Sequence, residues 1–229
     1  PRQRLLGWLS RSRRPKSELG KGHMPGQSTR LLVITSGFPP YHVGGTEVAS
    51  LGITAHLHAR GWEVRLVALV PDKARCPGPP FESPFTSEPL LLKQPRTLAR
   101  ASTGQQFGLF SLVWWRRLID YLGDWHPTCV HVHFSTGHHA LLGWLASLRF
   151  GAPLILTWHS WPHIATRGGE ITRQLCLAAD AVTAVSGPFA QAIGAQLNLP
   201  PECVQGIPNA VDPPSVPFVP PSSSQRVLG

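Results

Sequence analysis

Short apolar runs alternate along this chain with segments whose apolar residues recur at helical spacing. The run Leu31–Ile34 predicts a strand that is buried on both faces of a parallel sheet. After a loop containing glycine and proline, the apolar residues between Val48 and Leu57 predict a helix that Gly61 ends, and Val64–Val70 predicts the next strand. Strand, glycine loop, helix and strand in this order indicate the start of a nucleotide-binding α/β domain.

The alternation continues over most of the chain. Pro71–Pro95 is rich in proline and polar residues and predicts a long surface excursion. The elements predicted after it are a helix at Leu109–Trp125, a strand at Cys129–Phe134, a helix at His138–Phe150, a strand at Leu154–Thr157, a helix at Ile164–Ala179, a strand at Ala181–Val185 and a helix capped by Ser186. We therefore expect a Rossmann-like parallel sheet with helices on both faces, over residues 30–212.

The glycine pair Gly44–Gly45 comes just before the first predicted helix. Without side chains, the backbone amides of this loop and of the first helical turn can close on an anion, and the helix dipole favours negative charge there. Thr46 and Glu47 suit the first turn, where a hydroxyl can cap and a carboxylate meets the positive end. The spacing is neither that of a Walker loop nor G-x-G-x-x-G. A phosphate site and a plain tight turn both remain open.

Histidines gather near the ends of two predicted strands. His131 and His133 share one face of a strand, but no nearby acid or cysteine completes a zinc set, so we predict no metal site and a core role for His131. His159 directly follows a strand, where a polar side chain can reach the oxygen atoms of a ligand. The turn after Phe134 is expected to face the same crevice as the loop at Gly44, because both follow strand carboxyl ends.

Composition and charge describe a globular chain with a basic arm. Of its 229 residues 42% are hydrophobic and 14% are charged. The net charge is +9, but residues 1–29 hold seven Lys or Arg against Glu18, which leaves only +3 for the rest. This balance argues against nucleic acid as a partner of the folded part. The four cysteines form no C-x-x-C pair and are expected to be reduced thiols of a cytoplasmic protein.

The two ends of the chain are expected to lie outside the domain. Residues 1–29 predict a disordered arm, and Met24, the only methionine, suggests that residues 1–23 are a leader or remnant. The alternative is a weak amphipathic anchor at the inner face of a membrane, built on Leu5, Leu6, Trp8 and Leu9. Residues 213–229 predict a linker rich in proline and serine, followed by the start of another domain.

Four motifs in order resemble the amino-terminal half of family 4 glycosyltransferases. They are FPPYHVGGTEVASLGITAHLHARGWEV, PTCVHVHF, PLILTWHS, and AADAVTAVS followed by IPNAVD. The resemblance covers about residues 30 to 229, and Ala210 departs from it where the family often has glycine. It implies the N-terminal half of a GT-B fold, in which two Rossmann-like domains face each other, and a retaining, metal-independent transfer of sugar from a nucleotide-sugar donor to an acceptor.

The resemblance also implies roles for individual residues. Gly44 and Gly45 would place amides at the donor diphosphate, and His159 would be the catalytic residue near the donor sugar. Ser160, His133 and Thr46 would contact the acceptor, which the sequence does not identify as a small molecule, a lipid-linked sugar or a polysaccharide. No cofactor beyond the nucleotide-sugar substrate and no metal are implied. Because the donor-binding domain would lie beyond this sequence, the chain alone is expected to be inactive.

Other functions fit the same pattern. A sugar-nucleotide epimerase can share the architecture, and it would act on the donor without an acceptor. A dinucleotide-dependent oxidoreductase could use Asp72 as its ribose acid, but the glycine spacing is wrong for it. A non-catalytic binding domain could have kept the fold and lost the chemistry. The presence of acidic and basic donor residues downstream of Gly229 would separate the enzymes from the binding domain.

Overall fold

A single parallel sheet organises the structure, a computed structural model that describes residues 29–37, 44–71, 87–94, 103–134, 137–160 and 169–209. Its strands are β1 (Arg30–Thr35), β2 (Glu63–Pro71), β3 (Leu90–Gln94), β4 (Cys129–Phe134), β5 (Leu154–Trp158), β6 (Ala181–Ala184) and β7 (Gln205–Gly206). The helices are α1 (Gly45–Ala59), α2 (Thr103–Leu122), α3 (Gly137–Phe150), α4 (Gly169–Ala178) and α5 (Gly187–Gln196), with a short 3-10 turn at Pro201–Cys203. The predicted Rossmann-like α/β class is confirmed.

The strand order places a crevice beside β1. The order is β3-β2-β1-β4-β5-β6-β7, and every neighbouring pair is parallel. The order therefore reverses between β1 and β4, and ligands of open α/β sheets bind outside the carboxyl ends of the strands at such a point. Ile34 pairs with Val132, and His133 pairs with Thr157, so β1, β4 and β5 end at about the same level.

Apolar side chains pack on both faces of the sheet. The smaller cluster lies under α1 and contains Leu31, Val33, Val64, Leu66, Ala68 and Val70. The larger cluster holds side chains of α2 to α5 together with Val130 and Val132 of β4 and the fully buried Trp158 of β5. Strands covered on both faces explain the unbroken apolar runs of the sequence. None of the described helices is long and apolar enough to cross a membrane.

Several predicted elements differ from the observed ones. The excursion predicted at Pro71–Pro95 is wrong at its end, because Leu90–Gln94 pairs with β2 as strand β3. Helix α2 ends at Leu122 rather than Trp125, and Val113, which was predicted on its apolar face, has 55% of its surface exposed. Residues 164–168 of the predicted fourth helix lie outside the described residues.

Helix α1 buries polar side chains beside the predicted apolar ones, of which Leu51, Ala55 and Leu57 pack on the smaller cluster. Its buried residues are Glu47, Ser50 and Thr54, whereas Val48 is exposed. Ser50 Oγ lies 3.2 Å from Thr35 Oγ1, and it donates a hydrogen bond to the Glu47 carbonyl at 3.1 Å. These hydroxyls satisfy one another, so a helix face of small polar side chains can pack on the sheet.

Candidate functional site

The amino terminus of α1 begins at a glycine cap. Gly44 is the cap residue, and it has no side chain that could accept a hydrogen bond from the first-turn amides. The first intrahelical bond runs from the Val48 amide to the Gly44 carbonyl, at 3.1 Å. The amides of Gly45, Thr46 and Glu47 therefore have no carbonyl one turn earlier. Thr46 and Glu47 lie in the first turn, as predicted, but among the described residues the Thr46 hydroxyl makes no capping hydrogen bond.

Neither glycine is needed for an unusual backbone conformation. Gly44 has a φ of −150° and a ψ of 176°, an extended conformation that any residue adopts. Gly45 is exposed and helical, and a Cβ added to it would meet no atom of the described residues within 4 Å. Among those residues the helix start is therefore open to an approaching anion.

A buried carboxylate joins the end of β1 to the start of α1. Glu47 is 3% exposed, and Ser36 Oγ donates to its Oε1 at 2.6 Å. A negative charge in the first turn of a helix is favourable, because it meets the positive end of the helix dipole. The contact fixes the helix start against the strand end, so the first-turn amides are held at the carboxyl edge of the sheet.

A row of polar side chains crosses β4, β5 and β6. It lies on the same face of the sheet as α1, which packs over β1. His133 Nδ1 and His159 Nε2 are hydrogen-bonded at 2.8 Å, and the rings of His131 and His133 lie 4.0 Å apart. His131 Nε2 is hydrogen-bonded to Thr157 Oγ1 at 2.8 Å, and Thr157 Oγ1 in turn lies 2.8 Å from Thr183 Oγ1. Because side chains alternate between faces, the period of two along β4 and β5 produces this row.

The three imidazoles of the row are held uncharged near neutral pH. Burial, together with a smaller effect of the neighbouring His159, lowers the pKa of His131 to about 4. Burial also lowers the pKa of His159 to about 4, against a smaller opposite effect of the Glu47 carboxylate. Burial lowers the pKa of His133 well below 6.5, with contributions from both neighbouring imidazoles. The site therefore offers neutral hydrogen-bonding groups rather than positive charge.

We expect the stability of the domain to fall as the pH falls from about 6.5 to about 4. In this range the unfolded histidines bind protons while His131, His133 and His159 of the folded chain do not, so protons favour the unfolded state. Each such histidine lowers the free energy of unfolding by up to about 1.4 kcal/mol per pH unit. Urea unfolding followed across this range measures the slope. A free energy that does not change with pH would contradict the expectation.

The exposed His56 of α1 provides the matched control for this slope. His56→Asn should leave the pH dependence as it is, because that side chain lies outside the row. His131→Asn should reduce the slope, because one of the buried imidazoles is removed.

The structure brings some of the predicted site residues together. Gly44, Gly45 and His159 follow the carboxyl ends of β1 and β5, and the charge of Glu47 in the first turn of α1 acts on His159. Ser160 is exposed directly after His159. The acceptor contacts of Ser160, Thr46 and His133 stay predictions. His133 is fully buried, and the contacts of its ring described here are to His131 and His159.

Sequence reasoning missed two parts of this edge. It did not find the Ser36–Glu47 hydrogen bond or the participation of Thr157 and Thr183. A signal was present for the threonines, because Thr157 lies two residues before His159 and therefore on the same strand face. The link from Thr157 to Thr183 additionally requires the register of β5 against β6, which the sequence does not provide.

Among the described residues no metal cluster is found, and the described cavity lies away from this edge of the sheet. In the ranges that the structure describes, no group of three His, Cys, Asp or Glu side chains is arranged to hold a metal ion. A cavity of about 510 Å³ lies at the opposite, amino end of the sheet, where Asp180, Ala181 and Gln205 line it. Its lining contains none of the predicted site residues.

Comparison with known proteins gives a family match and distant structural likenesses. Residues 43–214 match the model of Glycosyltransferase Family 4. The apo form of the lipopolysaccharide outer core galactosyltransferase WaaB is 14% identical, with a TM-score of 0.50, over 86% of this chain and 50% of that chain. At this identity the likeness concerns the fold alone.

Two further solved structures were compared with the chain. Anabaena HepE in complex with UDP is 15% identical, with a TM-score of 0.49, over 80% of this chain and 45% of that chain. UDP-N-acetylglucosamine 2-epimerase from Rickettsia bellii is 13% identical, with a TM-score of 0.48, over 79% and 44%. The chain thus spans about half the length of the solved structures it matches. No curated protein is significantly similar to it in sequence.

Proposed function

The chain belongs to Glycosyltransferase Family 4, and on this premise we propose that it forms the acceptor-side lobe of an enzyme that transfers a sugar from a nucleotide-sugar donor. The observation that carries the proposal is the placement of His159 and the glycine-capped start of α1 at one edge of the sheet. The carboxylate of Glu47 acts electrostatically on His159, which supports their proximity. A second lobe holding the donor nucleotide is part of the proposal.

The first-turn amides of α1 would stabilise the leaving diphosphate. Negative charge develops on the diphosphate as its bond to the sugar breaks, and fixed backbone donors at a helix start stabilise such charge without reorganising. Gly45 supports this role because, among the described residues, the space in front of it is open. The carboxylate of Glu47 is held on the β1 side of this space, because its Oε1 accepts a hydrogen bond from Ser36.

His159 would donate a hydrogen bond to the donor sugar, and Ser160 and Thr46 would meet the acceptor. The lowered pKa of His159 supports a neutral ring in this role. Ser160 is exposed and Thr46 is partly exposed at the same edge, which supports their assignment. A direct acceptor contact by His133 would require its buried ring to become accessible.

We propose that the transfer retains the configuration of the sugar. The acceptor would attack from the face that the diphosphate leaves, and the leaving phosphate would take the acceptor proton. An anomeric assignment of the product by NMR tests this part, and an inverted product would refute it.

Replacing His159 with alanine is expected to slow transfer by at least about tenfold, because a hydrogen bond made in the transition state is lost. The measurement is sugar transfer by the full protein, from a panel of nucleotide sugars to a panel of acceptors. His56→Ala, which changes an exposed histidine of α1, is the matched control and should keep the wild-type rate. Equal rates for wild type and His159→Ala would refute the role of His159. Conversion of the donor without any acceptor would indicate an epimerase.

Transfer is also expected to persist when divalent metal ions are removed with a chelator. The sequence has no D-x-D motif to hold a metal on a diphosphate, and the proposal assigns that charge to the amides of α1. The rate is measured in chelator and again after magnesium or manganese is added back. A rate that disappears in chelator and returns with the metal would contradict this assignment.

A further inference from the structure

His133 and His159 are joined by one hydrogen bond, so the position of the ring hydrogen on one histidine depends on its position on the other. His133 Nδ1 and His159 Nε2 lie 2.8 Å apart, so one nitrogen donates and the other accepts. Within the described part of the chain, neither His133 Nε2 nor His159 Nδ1 has a hydrogen-bond partner, and both atoms are buried. Each neutral ring carries one hydrogen, so two arrangements are possible.

In the first arrangement, His159 Nε2 donates to His133 Nδ1. The hydrogen of His133 then sits on Nε2, which leaves an unpaired N–H on a ring with no exposed surface. In the second arrangement, His133 Nδ1 donates to His159 Nε2. The unpaired N–H then sits on Nδ1 of His159, whose ring is partly exposed, and the deeply buried His133 Nε2 is only an acceptor.

The second arrangement is the more favourable one for a physical reason. A buried N–H without a partner is costly, and the cost is smaller on the partly exposed ring of His159 than on the ring of His133, which has no exposed surface.

We propose that His133 is a positioning residue, which donates its Nδ1 hydrogen to His159 Nε2 and so fixes His159 with its own hydrogen on Nδ1. The ring of His131 packs against the ring of His133 at 4.0 Å, and Thr157 holds His131 by a hydrogen bond. His133 is therefore held in place on the side away from His159. The nitrogen of His159 that does not contact His133 is therefore a hydrogen-bond donor, and it is buried in the chain without ligand.

This arrangement limits what His159 can do in the proposed transfer, and that consequence rests on the proposed function. Its Nε2 accepts from His133, and its Nδ1 carries a hydrogen, so neither nitrogen is available to take a proton from the acceptor hydroxyl. Once its buried Nδ1 becomes accessible to the ligand, His159 can donate to a sugar hydroxyl or to a phosphate oxygen. It would thus stabilise the donor without serving as a general base.

The test is the position of the hydrogen on each ring in the chain without ligand, near neutral pH. Correlation spectra between imidazole nitrogens and ring carbon-bound hydrogens in a histidine-labelled sample distinguish Nδ1–H from Nε2–H, and loss of signals in His159→Gln assigns the ring. We expect Nδ1–H for both His159 and His133. An Nε2–H form of His159 in the wild-type chain would overturn the proposal, whatever the variants do.

Variants test whether His133 causes the arrangement. In His133→Phe we expect His159 to change from almost entirely Nδ1–H to mainly Nε2–H, because its Nε2 has lost its donor. Thr157→Val is the matched control, since it removes the contact of His131 and leaves the His133–His159 bond. His133→Asn should restore Nδ1–H, because its amide can donate at the same place. An unchanged His159 signal in a folded His133→Phe would refute the role of His133.

The hydrogen positions on the two histidines and the role of His159 in sugar transfer can be refuted independently. The spectra need no substrate, so they can confirm the hydrogen positions even if the His159→Ala variant transfers sugar at the wild-type rate. In that case the positioning by His133 would stand, and the role of His159 in transfer would be refuted.

Discussion

Replacing Gly45 with leucine is expected to weaken the binding of a nucleoside diphosphate by at least about tenfold, which corresponds to about 1.4 kcal/mol. The new side chain would occupy the open space in front of the first-turn amides and keep the phosphate oxygens away from them. Each hydrogen bond to a charged oxygen contributes about 1.5 to 3 kcal/mol, so losing one is enough for this effect. Titration calorimetry with a panel of nucleoside diphosphates on the full protein, wild type and variant, measures it.

The fold itself should tolerate the Gly45 change. A Cβ at this position meets no atom of the described residues within 4 Å, and leucine is a better helix former than glycine. Gly52→Leu is the matched control, because Gly52 lies about two turns further along α1, is exposed, and has equally open space around its Cβ position. Equal affinity of Gly45→Leu and Gly52→Leu for the nucleoside diphosphate would show that the glycine pair does not bind the diphosphate.

Replacing Gly206 with alanine is expected to destabilise the fold by about 3 kcal/mol, the upper end of the usual cost of overpacking. The added Cβ would lie 2.6 Å from both Cα and N of Gly187 and 2.8 Å from the Ser186 carbonyl carbon. All three are backbone atoms at the start of α5, where Ser186 Oγ accepts a hydrogen bond from the Phe189 amide. The helix start would have to move away from β7, because no flexible side chain can give way.

Urea unfolding of Gly206→Ala and of the wild-type chain measures this loss. The free energy of unfolding of a typical domain is roughly 5 to 15 kcal/mol, so the loss is a large part of it. Gly194→Ala is the matched control, because Gly194 lies inside α5 with nothing within 4 Å of its Cβ position. It should stabilise the chain by about 0.4 to 1 kcal/mol. Equal stability of Gly206→Ala and wild type would mean that β7 does not pack against the start of α5.

The sequence predicts most of the strands because a sheet covered on both faces demands unbroken apolar runs. β1 and β5 follow this rule, whereas β3 has only Leu90, Leu91 and Leu92 beside a segment rich in proline, so its pairing with β2 was hidden. The buried polar face of α1 could not be predicted from apolar spacing either. It depends on hydroxyls such as Ser50 finding partners on β1, which only the packed structure supplies.

The edge that carries the candidate site could be predicted because parallel strands place their carboxyl ends together. This rule places Gly44, Gly45 and His159 at one edge without any coordinates. The depth of His133 could not be obtained in this way, because alternation along β4 gives the face of a side chain and not what covers it. The bond between His133 and His159 likewise depends on the register of β4 against β5.

The most direct test of the account is to follow backbone amide and imidazole signals of this domain within the full protein by NMR while a nucleoside diphosphate is added. The account predicts that the amides of Gly45, Thr46 and Glu47 and the Nδ1–H signal of His159 shift together along one saturating curve. Shifts confined to the amino end of the sheet around Asp180, with Gly45 and His159 unchanged, would contradict it.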